Sequence, residues 1–171
     1  MWPSLEHLNL SYNHIPVASI CFLRYLGEGK TGGRLRVLDL SGNGLNQLPD
    51  DLSFLTSLEK LNLSRNQFSS QSTLCNPSKL FVSLATLPHL SKLNLSFNQL
   101  TGIHLDDLLM MDKHKGLKGV LLSLVKLDMS FNRIERQEHL MQALHFTSLN
   151  ILKILGNPLV ANEKPMTLMQ S

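Results

Sequence analysis

The side chains that could carry covalent chemistry do not stand in the patterns that chemistry needs. Gly29-Lys30-Thr31 ends like a phosphate loop, in which backbone N–H groups cradle phosphates and a lysine reaches them. Such a loop needs a glycine five positions before Gly29, and that position is Arg24. The seven histidines include no His-Glu-x-x-His and no other metal-ligand spacing. His139 is expected on a solvated helix face. Cys21 and Cys75 stand 54 residues apart with no Cys-x-x-Cys, so neither zinc nor redox exchange is indicated. Two isolated cysteines read as reduced, packed thiols of an intracellular protein. No nucleophile, base and acid can be placed together. The expectation is a chain with no catalytic residues, no metal and no cofactor.

What remains is recognition chemistry, and composition says what scaffold presents it. The chain has 171 residues, of which 38 are leucine, against 6 isoleucines and 6 valines. β-Sandwiches and barrels favour β-branched residues, so this balance disfavours them. Disorder is disfavoured as well, by the apolar content. No run of about 18 apolar residues exists, so no membrane span is expected. The first residues, Met1 to Glu6, show no signal-peptide pattern. Net charge is +3, but only 17% of residues are charged. A dedicated nucleic-acid binder carries more charge and clusters it, which disfavours that partner.

The leucines fall in a pattern that occurs six times. It runs Leu5-x-x-Leu8-x-Leu10-x-x-Asn13-x-Ile15 and returns from Leu35, Leu58, Leu90, Leu124 and Leu149. Leucines two apart, as in Leu8-x-Leu10, share one face of a strand, and the residue between them faces the other way. Each repeat is expected to add one short strand to a parallel sheet. Asn13, Asn43, Asn66, Asn98, Asn132 and Asn157 follow where the chain must leave the sheet. An amide there can pair with backbone groups of its own and the adjacent turn. One repeat cannot bury its own leucines, whereas stacked neighbours can.

Successive asparagines are 30, 23, 32, 34 and 25 residues apart. The longer steps leave room for helices on the far side of the sheet. Asn76-Pro77-Ser78 predicts a helix start with Asn as cap and Pro in the first turn, burying Leu80, Leu84 and Leu87. Gln137 to Phe146 predicts a second helix with Leu140, Met141 and Leu144 inward, and Leu105 to Met111 a third. Gly27 to Gly33 reads as a loop. Asp112 to Lys118 reads as a basic, solvated loop.

The strand residues between the leucines form the surface on which function is expected. The first column reads His7, Val37, Lys60, Lys92, Lys126, Ile151, and the second Asn9, Asp39, Asn62, Asn94, Asp128, Lys153. A third holds Ser11, Ser41, Ser64, Ser96, Ser130 and Leu155; the residue before each ladder asparagine is Tyr12, Gly42, Arg65, Phe97, Phe131 or Gly156. Parallel strands lie about 4.8 Å apart. Lys60, Lys92 and Lys126 therefore form a basic row beside Asn62, Asn94 and Asp128, flanked by Arg65, Phe97 and Phe131. Lysines beside aromatics suit an acidic or mixed peptide or helix with an apolar anchor. Three Asn-Leu-Ser sequons, at Asn9, Asn62 and Asn94, follow from the repeat consensus; sugars there would crowd this face.

These six repeats resemble the leucine-rich repeat family of the intracellular kind, which lacks flanking cysteine-rich caps. The resemblance covers the whole chain, residues 1–171, as one domain. It implies an α/β fold, a right-handed solenoid with a parallel β-sheet on the concave face and helices or loops on the convex face. Relatives of this kind include phosphatase regulators, an axonemal dynein light chain, ribonucleoprotein components and Ras-pathway scaffolds, and they mainly bind proteins. The segment from Asn76 to Asn98 is also similar to a stretch of the X-ray radiation resistance-associated leucine-rich repeat family. The functional expectation is a non-catalytic scaffold, cytoplasmic and built into a larger assembly such as an axonemal or cytoskeletal one. A soluble signalling or phosphatase-regulator-type adaptor, or a ribonucleoprotein component, is the alternative. Met1 lies four residues before the first repeat leucine, and Pro165 interrupts the last stretch. The ends are therefore expected to be weakly capped, and the isolated chain to self-associate.

Overall fold

The computed structural model describes residues 4–16, 23–24, 33–69, 77–105 and 121–161. Six three-residue strands form one parallel sheet: β1 (His7–Asn9), β2 (Val37–Asp39), β3 (Lys60–Asn62), β4 (Lys92–Asn94), β5 (Lys126–Asp128) and β6 (Ile151–Lys153). They lie side by side in chain order, so each inner strand pairs with the strands before and after it in sequence. An open leucine-rich repeat solenoid has this order, and it is the α/β fold that the leucine pattern predicts.

Register repeats without a slip. Leu8, Leu38, Leu61, Leu93, Leu127 and Leu152 stand opposite one another across the five strand pairs. Backbone bonds beyond the strands repeat too. Leu10, Leu40, Leu63, Leu95 and Met129 each donate from N–H to the last strand carbonyl of the next repeat, at 2.8–2.9 Å. Two residues further, Tyr12, Gly42, Arg65, Phe97 and Phe131 do the same to the following turn. Short strands thus belong to a longer ladder, which satisfies the backbone groups the core would otherwise leave unpaired.

Burial follows repeat position and neighbours. Leu35, Leu58, Leu90 and Leu124 are buried, as are Leu40, Leu63, Leu95 and Met129. So are Leu45, Phe68, Leu100 and Ile134. The same positions in the outer repeats, Leu5, Leu8, Leu10, Ile15, Leu149 and Leu159, are only half-buried. One leucine brought fully out of water contributes about 1.5–3 kcal/mol, and the inner repeats get that value because both neighbours cover them.

Among the described residues, longer helical segments occupy the 32-residue step from Asn66 to Asn98 and the 25-residue step from Asn132 to Asn157. Helix α1 (Pro77–Ala85) buries Leu80, Phe81 and Leu84, and Leu87 beyond it is buried as well. Its expected cap, Asn76, lies outside the described residues. A 3-10 helix spans Gln137–His145. It corrects the expected inward face. Leu140 and Ala143 are partly buried against the core, but Met141 and Leu144 are 57% and 76% exposed. With three residues per turn rather than 3.6, the apolar positions no longer fall on one stripe. A final short helix, α2, is Pro158–Ala161. Leu105 is buried; the rest of the expected third helix, Cys21, Cys75, the basic loop Asp112–Lys118 and the glycine loop before Gly33 lie outside the described residues.

Candidate concave recognition face

The register places the first-column lysines as neighbours. Lys60 pairs with Lys92, and Lys92 with Lys126. Lys60 and Lys92 are exposed and Lys126 half-buried. Asn62, Asn94 and Asp128 form the adjoining row. Together with Val37, Leu38, Asp39, Leu61 and Leu93, these six residues line a shallow depression of about 250 Å³ in the middle of the sheet.

The second row is committed to the protein itself. Each of Asn9, Asp39, Asn62, Asn94 and Asp128 accepts, through Oδ1, the backbone N–H of the serine two residues later. These turns draw the serines inward, so Ser41, Ser64, Ser96 and Ser130 are buried. That corrects the expected third surface column: serine there serves the turn, not the face. The second oxygen of Asp39 accepts Asn62 Nδ2 at 2.9 Å. The second oxygen of Asp128 faces Lys153 Nζ at 4.0 Å. Both carboxylates on the depression are therefore engaged. Among the described residues, no carboxylate lies within ion-pair distance of Lys60, Lys92 or Lys126.

Arg65, Phe97 and Phe131 stand apart from the lysines, past the last residue of their strands, with the Asn/Asp row between. All three adopt left-handed backbone, with φ of 55°. Tyr12 shares the conformation at 57°, and Gly42 and Gly156 fill the same column at 67° and 72°. For a residue with a Cβ this conformation costs roughly 1–2 kcal/mol. The side chains return part of that cost by leaning on the next repeat. The Arg65 guanidinium carbon sits 4.2 Å from the centroid of Phe97. Phe97 stacks on Phe131 with centroids 4.3 Å apart and planes 11° from parallel. Phe131 lies over Gly156, where an added Cβ would meet the ring at 2.4 Å. The result is one continuous stack from Arg65 to Gly156, with Phe97 39% and Phe131 43% exposed along their edges.

The ladder asparagines do their work beneath this surface. Asn66 Nδ2 donates to the carbonyls of Leu40 and Leu63, both at 3.0 Å, and its Oδ1 accepts the N–H of Asn43 and of Leu45. Asn43, Asn98, Asn132 and Asn157 each bridge two turns in the same way and are buried. Asn13, in the first repeat, is exposed, and among the described residues its side chain donates to the Ser11 carbonyl alone.

Three contacts escaped the sequence reading. Arg36 donates from Nε and Nη2 to Glu59 Oε1, at 2.9 and 2.7 Å, on the rim before the strands. This hydrogen bond, with the charge of Glu59, raises the Arg36 pKa further. Charged pairs one repeat apart at the position before the strand could have signalled it. His139 is not on a solvated face: its backbone carbonyl accepts Ile103 N–H at 2.9 Å and its side chain packs on Gly102. Leu105 N–H is held by the Gln142 side chain. No cluster of three metal-ligating side chains occurs among the described residues. None of their helices is long and apolar enough to cross a membrane.

The strand order, the register and the asparagine ladder are those of leucine-rich repeats, and the chain is built of them. Leucine-rich repeat family models match residues 3–15, 30–70 and 89–111. Two relatives show how the repeats recur elsewhere. A Toll-like receptor 2 type-2 of Gallus gallus is 39% identical over 82 residues, covering 47% of this chain and 10% of the receptor. An X-ray radiation resistance-associated protein 1 of Mus musculus is 37% identical over 118 residues, covering 58% of this chain and 13% of that protein. The chain thus spans about a tenth of the length of these relatives. Repeats of this family serve in general as protein-interaction modules rather than as catalysts.

Proposed function

We propose that this chain is a non-catalytic scaffold that binds an acidic protein segment on the concave face of its sheet. One observation carries the reading. Three lysines stand in register with no carboxylate partner among the described residues, while Asp39 and Asp128 beside them are already occupied. Like charges on adjacent strands destabilise a sheet, so a row of three is explained by what it meets rather than by what it holds together. Arg65, Phe97 and Phe131 extend the same surface with apolar edges.

Within this reading the chain works inside the cell, as a fixed part of a larger assembly of the axonemal or cytoskeletal kind. A charged fraction of only 17% suits a surface partly covered by neighbours.

Lysine-reactive crosslinking in native extract, read by mass spectrometry, tests the face directly because the lysines are themselves the reactive groups. Crosslinks from Lys60, Lys92 and Lys126 to one partner are expected, with capture of that partner in a pull-down lost in the K60E/K92E/K126E variant. Partner crosslinks confined to Lys79 of helix α1, with capture unchanged in that variant, would move the site to the opposite side.

A further inference from the structure

We infer that the acidic segment taken by this face is an α-helix lying across the strands, with carboxylates at i, i+3 or i+4, and i+7. The inference rests on the concave reading above and adds the conformation of the partner. Its first support is distance. Adjacent parallel strands are about 4.8 Å apart, so Lys60 to Lys126 spans roughly 10 Å in two equal steps. A helix rises about 1.5 Å per residue, which puts i+3 or i+4 at about 4.5–6 Å and i+7 at about 10.5 Å. An extended peptide repeats its facing side chains every 6.6–6.8 Å or so, and three of them span roughly 13 Å. The helix meets all three ammonium groups, whereas the extended chain falls out of step by the third.

The second support is hydrogen-bond chemistry. The face offers donors: Lys60, Lys92 and Lys126, and the Asn94 amide, whose Oδ1 is held by Ser96 N–H while its Nδ2 carries no partner among the described residues. Its carboxylates, Asp39 and Asp128, are engaged. An extended peptide crossing the strands would bring its own backbone N–H groups to a surface with no free carboxylate among the described residues. Such chains dock by adding to a sheet edge, where main-chain partners exist. A helix arrives with its backbone bonded internally and presents carboxylates alone.

The stack disfavours a competing ligand. Single-stranded nucleic acid binds by laying bases on open aromatic faces. Here one face of Phe97 is covered by Arg65 and the other by Phe131, whose own outer face lies on Gly156. Ring edges remain, and these suit aliphatic side chains on the flank of a helix.

Three synthetic peptides of one length and net charge, about six helical turns long, decide the matter by fluorescence anisotropy at low salt. In the first, glutamates form one seam; in the second, they are spread around the helix; the third keeps the seam but carries two central prolines. The seam peptide is expected to bind at least tenfold more tightly than the other two. Its binding should be lost in K60E/K92E/K126E and kept in K60R/K92R/K126R, which shows that the fold tolerates change at these positions. Equal binding of the spread or proline peptide, no binding of the seam peptide, or its displacement by an oligouridine would overturn the helix. If all three peptides bind alike and charge reversal abolishes binding, the helix falls and the concave face stands. If charge reversal leaves seam binding intact, the concave reading itself falls.

Discussion

Arg65 lies over Phe97 with its guanidinium carbon 4.2 Å from the ring centroid, and both residues hold a backbone φ of 55°. A stabilising stack is thus built on a conformation that disfavours any side chain. The two effects can be separated by substitution. Arg65→Ala keeps the left-handed strain and loses the stack, whereas Arg65→Gly loses both. Arg65→Gly is therefore expected to be the more stable variant, by about 1 kcal/mol. Chemical denaturation of the pair measures the difference; a less stable glycine variant would show that the turn carries no strain.

The far end of the stack makes a sharper demand. Gly156 needs its glycine twice, for φ of 72° and for the ring of Phe131 above it. Gly44 has the same φ, but an added Cβ there would meet nothing nearer than Gln67 Nε2 at 3.6 Å. Gly44→Ala should cost about 1–2 kcal/mol, from conformation alone. Gly156→Ala should cost roughly 1–3 kcal/mol more, from overpacking. Thermal melts of both in wild-type and Phe131→Ala backgrounds check this. Removing the ring should erase the excess at Gly156 and leave Gly44 unaffected.

The asparagine ladder predicts a gradient along the chain. Asn66→Ala leaves two carbonyls and two N–H groups without their bonds in a buried turn. Each such group costs about 1–3 kcal/mol, and partial rescue by water leaves a net loss of roughly 3 kcal/mol or more. Asn13→Ala removes one bond at an exposed site and should cost less than about 1 kcal/mol. Equal losses in urea denaturation would mean that the ladder is not what holds adjacent turns together.

The inward half of the molecule was legible because leucine spacing specifies it directly. A residue at Leu61 or Leu93 can face only one way once its neighbours at Leu63 and Leu95 are placed, so sheet, register and lysine row all follow. The surface half was less legible, since it depends on turns rather than periodicity. Serines 41, 64, 96 and 130 look like surface residues by alternation, yet the Asx turn at the preceding Asn or Asp folds them inward. Met141 and Leu144 look like core residues by helical spacing, yet a 3-10 winding turns them outward. Phe97 and Phe131 share the column before the ladder asparagine, but nothing in their spacing reveals that they stack on each other rather than stand open.

Repeat length varies from 23 to 34 residues between successive ladder asparagines, yet the strand register never shifts by a single position. The extra residues are accommodated wholly between strands. The two sides of the sheet are therefore free to change independently. Segments between strands can lengthen, shorten or acquire new sequence without altering the distance from Lys60 to Lys126. Exchanging a single strand residue redraws one square of the concave face and leaves every other square where it was.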